Sequence, residues 1–188
     1  MGQQTWVEMS NAYGTSGISS LTSKEFTAIQ PISPGGSTLG QAFTLGATVP
    51  VLVPGKIIRW TAKGYFGTTG TPELTLSLCW GETGKVLGSS KVKCPSGTPE
   101  LSWSLNALTR VISSGTAGKV ITQGEIYGIE AKSALSESAS VTMLPLSAPL
   151  EVEVDTSTQK ALFLAGTWSA SSSSNTITVT QWVVEILN

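Results

Sequence analysis

The chain has no histidine, two cysteines and a single aspartate, Asp155, in 188 residues. Without histidine the commonest general base and metal ligand is missing, and Ser-His and Cys-His nucleophile systems are excluded. One aspartate leaves no paired-Asp site and no acidic calcium loop. No S-x-x-K precedes a helix, and no P-loop or G-x-G-x-x-G lies between a strand and a helix. Cys79 and Cys94 are too few for a disulfide framework, and two free thiols are expected after synthesis in reducing conditions. A chain without such constellations is expected to be no enzyme and to need no metal or other cofactor.

Charge is scarce as well. Charged residues make up 12% of the chain, where about 25% is usual. Eleven basic and twelve acidic residues leave a net charge of −1, which gives no electrostatic footprint for nucleic acid or an anionic membrane. A weakly charged, near-neutral surface favours association, so other copies of the chain are expected to cover part of it. No apolar run reaches the ~20 residues of a membrane span. The opening MGQQTWVEMS lacks the basic and apolar regions of a signal peptide, and Trp6 stands where a myristoylation site needs Ser or Thr. The expectation is a soluble protein made in a cytoplasm. Helical periodicity is missing too: no stretch sustains it beyond about two turns.

What the sequence does have is short alternating runs divided by Gly, Pro and Ser. In KIIRWTAKGYF, Ile58, Trp60 and Ala62 are expected to face a core. In ELTLSLCW, Leu74, Leu76 and Leu78 share one face, with Thr75, Ser77 and Cys79 on the other, as in a half-buried antiparallel strand. LSWSLNALTRVIS repeats the pattern through Leu101, Trp103 and Leu105. Gly124 and Gly128 suggest bulges or close backbone approaches. Gly81 to Glu100 reads as a solvent-facing excursion with one short strand around Val86-Leu87, and SASSSSN, near the C-terminus, as a hairpin loop. Roughly nine or ten such strands imply an all-β, jelly-roll-like antiparallel β-sandwich. It would span residues 23–188, after an extended N-terminal arm over residues 1–22. An immunoglobulin-like sandwich ranks second, since Cys79 falls on a polar strand face and Cys94 in a loop.

The closing TITVTQWVVEIL changes phase. Ile177 and Val179 share one face, but beyond Gln181 the apolar Trp182, Val184 and Ile186 continue the phase of Thr178 and Thr180. Either a bulge near Gln181 restores the phase, or the C-terminal half is buried on both faces. The second reading makes Trp182, Val184, Ile186 and Leu187 candidates for a subunit interface, and is the one preferred. Trp6 and Val7 are candidates for anchoring the arm to a neighbour. Glu151, Glu153 and Asp155 would lie on one strand face; a cation site is conceivable, but protection of a sheet edge suits them better. Of the tryptophans, Trp60, Trp103 and Trp168 read as core, whereas Trp6 and Trp80 are better placed for contact surfaces.

Two segments carry a resemblance. RWTAKGYFGTTGTPELTLSLCWG (Arg59 to Gly81) and ALFLAGTWSASSSSNTITVTQWVVEIL (Ala161 to Leu187), with LGSS at Leu87 to Ser90 and the strand around GIEAK, are similar to small virion proteins of tailed bacteriophages. The likeness covers roughly two thirds of the chain and consists of strand and turn residues. The matching positions are Gly67 to Pro72, Trp80 and Gly81, then Gly166 to Trp168 and Asn175 to Gln181, read as scaffold. The segment from Glu82 to Glu100 departs from the pattern. The resemblance implies a jelly-roll homotrimer on the exterior of the virion. Its partners would be the major capsid protein or tail proteins of the same phage, with the arm as a grip on the shell. It would be made in the host cytoplasm. The alternative is a carbohydrate- or receptor-binding module of a tail or head fibre, with a host surface glycan as partner.

Overall fold

Residues two apart on an extended chain share a sheet face, so the alternating runs should become strands wherever Gly, Pro or Ser lets the chain turn. The computed structural model describes residues 19–22, 30–31, 43–44, 52–68, 70–81, 84–95, 101–133, 136–158, 160–170, 172 and 174–187. Among these it has twelve strands and no helix. They are β1 (Ser19–Thr22), β2 (Gln30–Pro31), β3 (Phe43–Thr44), β4 (Ile57–Gly67), β5 (Glu73–Trp80), β6 (Lys85–Lys93), β7 (Leu101–Ser113), β8 (Gly118–Ser133), β9 (Ser136–Leu144), β10 (Glu151–Val154), β11 (Ala161–Trp168) and β12 (Thr176–Leu187). A seven-stranded sheet runs β1-β12-β4-β7-β8-β10, with β9 also on β8. A five-stranded sheet runs β2-β11-β5-β6, with β3 also on β11. Every pairing is antiparallel. The expected all-β antiparallel sandwich is present.

Four pairings nest inside one another. The hairpin β5–β6 is innermost, then β4–β7, then β2–β11, with β1–β12 outermost. The inner faces of the two sheets meet in one core. Ile58, Trp60 and Ala62 of β4, Leu74, Leu76 and Leu78 of β5, and Trp103 and Leu105 of β7 all belong to it, as their alternation implied. Trp60 is fully buried, and its indole N–H donates to the Thr109 hydroxyl at 2.8 Å, which lies 2.7 Å from the Thr122 hydroxyl. That chain of hydroxyls ties β4 to β7 and β8 inside the core. The indole N–H groups of Trp103, Trp168 and Trp182 have no such partner.

Four expectations need correction. Ser19–Thr22, assigned to the arm, form β1 and pair with Thr176–Val179 of β12. The expected solvent-facing excursion contains the nine-residue β6, which closes one edge of the smaller sheet. Lys85, Lys91 and Lys93 point to solvent from it while Leu87, Ser90 and Val92 are buried. The strands around SASSSSN do not make a hairpin, because β11 and β12 belong to different sheets and the segment bridges them. Finally, β5 is buried on both faces along its C-terminal half. Cys79 there packs with Phe163 and Ala165 in a second cluster, on the face opposite the main core.

Candidate interaction surfaces

The closing strand resolves in favour of the bulge. β12 pairs with β4 as Val179↔Gly64 and then Gln181↔Lys63, so Thr180 is the extra residue. Its hydroxyl donates to the Lys63 carbonyl at 3.1 Å, bonding a backbone group at the interrupted ladder. Opposite the bulge stands Gly64, where an added Cβ would come within 1.8 Å of the Thr178 carbonyl oxygen. Only a residue without a side chain lets β12 approach there. Beyond the bulge Trp182, Val184 and Ile186 return to the phase of Ile177 and Val179, and all five are buried in the core of a single chain. The Trp182 ring lies 5.9 Å from that of Trp60. These three residues are therefore not a subunit interface: their partners are within the chain. Leu187 points the other way and is half-buried. Trp6 and Val7 lie outside the described residues.

The other candidates fall as follows. Trp60, Trp103 and Trp168 are core residues. So is Trp80, expected on a contact surface; its indole N–H donates to the Asp155 carbonyl at 3.2 Å. Glu151 and Glu153 share an exposed face of β10, but the strand ends at Val154 and Asp155 leaves the row. Its carboxylate accepts from the Ser157 backbone N–H and hydroxyl and from the Thr158 hydroxyl, and lies 3.4 Å from Lys160 Nζ. Those donors hold Asp155 far below the usual carboxylate range. Among the described residues no group of three metal-ligating side chains forms. A charged sheet edge accounts for Glu151, which pairs with Lys119 at 3.1 Å. Cys79 and Cys94 are free and buried, and burial pushes each thiol up to about 12. Gly124 is the close approach expected of it, since a Cβ would meet Ala107 Cβ at 2.4 Å, whereas at Gly128 the nearest contact is an ordinary 3.9 Å.

The surface that sequence reasoning missed is the outer face of the seven-stranded sheet. On β7 the polar row Ser102, Ser104, Asn106, Arg110 is broken by Leu108, which is 47% exposed. On β8 and β9, Tyr127 stands opposite Val141, with Met143 one tier along opposite Glu125. Tyr127, Val141 and Met143 are 38%, 57% and 51% exposed. Leu146 and Leu150 follow in the exposed connection to β10. Six of the seven exposed large hydrophobics of the described residues thus lie on β7–β10 and their connections, the seventh being Val53. The signal available in the sequence was an apolar residue out of phase in β7 and the matched phase of Val141 and Met143. Two ion pairs cross the same face, Arg59–Glu185 at 3.2 Å and Lys119–Glu151.

Comparisons with protein-family models, curated proteins and solved structures return no match.

Proposed function

We propose that this chain is a non-enzymatic structural protein of a bacteriophage virion, a jelly-roll homotrimer that decorates or cements the head exterior against the major capsid protein. The observation that carries the reading is the nested pairing of eight strands across two sheets. We read that nesting as jelly-roll connectivity, with β8–β10 as an insertion between the sixth and seventh core strands. It joins the likeness of the Arg59–Gly81 and Ala161–Leu187 segments to small virion proteins, segments that supply β4, β5, β11 and β12. A decorating shell protein needs a rigid sandwich and a surface for other copies, and binds weakly per copy but strongly in aggregate.

The test is to label the protein on purified particles and to compare heads with and without it under heating. Label on the head and earlier DNA release from stripped heads are the expected results; a particle that never carries the label overturns the reading. The fibre-borne glycan-binding alternative has less support, because the five tryptophans among the described residues are buried. Specific binding of the purified protein on a glycan array would favour it instead.

A further inference from the structure

We infer that the outer face of the seven-stranded sheet is a two-fold contact between copies of this chain, centred on the boundary of β7 and β8. The inference requires only that copies associate, and does not rest on the virion reading. Its first support is the concentration of exposed apolar side chains on that face, where Leu108, Tyr127, Val141 and Met143 stand among polar neighbours. Single surface hydrophobics need no explanation, but a grouped set marks an interaction site. Its second support is the sign of the charges left over once the internal ion pairs are made. Among the residues whose side chains are described, Lys63 on β4 and Arg110 on β7 carry the unpaired positive charge of this face. Glu125 on β8 and Glu153 on β10 carry the unpaired negative charge among them. Positive and negative are thus divided across the β7/β8 boundary.

That division selects the partner. A two-fold axis parallel to the strands, lying in the contact plane between β7 and β8, lays the β4/β7 half of one copy over the β8/β10 half of the other. Lys63 then comes within a tier of Glu125 of the second copy, and Arg110 within a tier of Glu153, while Val141 and Met143 cover Thr61 and the aliphatic stem of Lys63. An isologous contact has to be self-complementary, and a face split in this way is. A partner of one predominant charge would meet repulsion on one half of it.

Sedimentation equilibrium on the full-length protein tests this. The wild type is expected to contain an even number of copies, which for the proposed trimer means two trimers joined through this contact. Met143→Asp should weaken association at least tenfold with an unchanged circular dichroism spectrum. Arg110→Glu should also weaken it, and Arg110→Glu/Glu153→Arg should restore it, since the swap rebuilds both cross-axis pairs. An oligomer unaffected by Met143→Asp, an odd-numbered one that all variants retain, or a monomeric wild type overturns the inference. An intact trimer would do so while leaving the proposed function standing, whereas absence of label from phage heads removes that function without touching this contact.

Discussion

Replacing Gly64 by alanine tests the feature on which the closing strand depends. The new Cβ would lie 1.8 Å from the Thr178 carbonyl oxygen, 2.9 Å from its carbonyl carbon and 3.1 Å from Val179 Cα. All three are backbone atoms, so no side chain can rotate away, and β12 has to retreat from β4 by more than an ångström. Overpacking of this kind costs about 1–3 kcal/mol. The retreat also stretches the ladder on either side of the bulge, at roughly 1 kcal/mol for each bond weakened. The total expected is about 3–5 kcal/mol, a large share of the 5–15 kcal/mol that typically holds a domain folded. Urea unfolding followed by tryptophan fluorescence reads it well, because Trp60 and Trp182 lie on the two strands being separated. The control is Gly70→Ala, where φ is +77° and nothing lies within 4 Å of the new Cβ. It should lose only the backbone cost of a left-handed residue, about 1–2 kcal/mol. If Gly64→Ala proves no more destabilising than Gly70→Ala at matched protein concentration, the bulge does not depend on close approach and the account of β12 is wrong.

Three further outcomes follow from the core and the connections. Trp182→Ala should cost about 3–5 kcal/mol, the same loss at every protein concentration; a loss that vanishes on dilution would return Trp182 to an interface. Thr109→Val leaves the Trp60 indole N–H and the Thr122 hydroxyl without the oxygen they share, for about 1–3 kcal/mol, and a double-mutant cycle with Thr122→Val should show coupling. The buried thiols, ordinarily near 9 and raised to about 12 in the fold, set a dependence on pH. Below pH 9 both states hold the protons and stability is flat. Between 9 and 12 the unfolded chain releases them first, so each thiol removes roughly 1 kcal/mol per pH unit. A Cys79→Ala/Cys94→Ala variant should show a shallower alkaline fall in urea midpoint, and an identical slope would mean that the thiols are accessible.

Asp155 acts in the acid direction. Its carboxyl is depressed by Ser157 and Thr158, so the stability it contributes is present above the ordinary value near 3.8 and is lost as pH falls below it. Asp155→Asn should flatten the acid limb of the melting curve relative to the wild type.

The period-2 pattern by itself determined the inward rows of β4, β5 and β7, and so the core roles of Trp60, Trp103 and the three leucines of β5. Alternation is a local property: an extended chain sends neighbours to opposite faces whatever it packs against. Glycine inside a strand marked Gly124 and Gly128 alike, and only the approach of Ala107 to Gly124 separates them. The alternation placed only a short strand around Val86-Leu87 where β6 runs for nine residues, because the Lys, Gly and Ser that extend it read as loop until β5 supplies a ladder and the second sheet covers Leu87 and Val92. Nor could it choose between a bulge and a partner in β12, because the deciding atom is the missing Cβ of Gly64, more than a hundred residues away in sequence. Asp155 left the carboxylate row for a comparable reason, once Ser157 and Thr158 offered its side chain three donors in a turn. Strand identity was written along the chain. Which strands adjoin, which outer faces are covered and where an apolar face stays open were decided by distances between residues far apart in the sequence, and a one-dimensional pattern contains no distances.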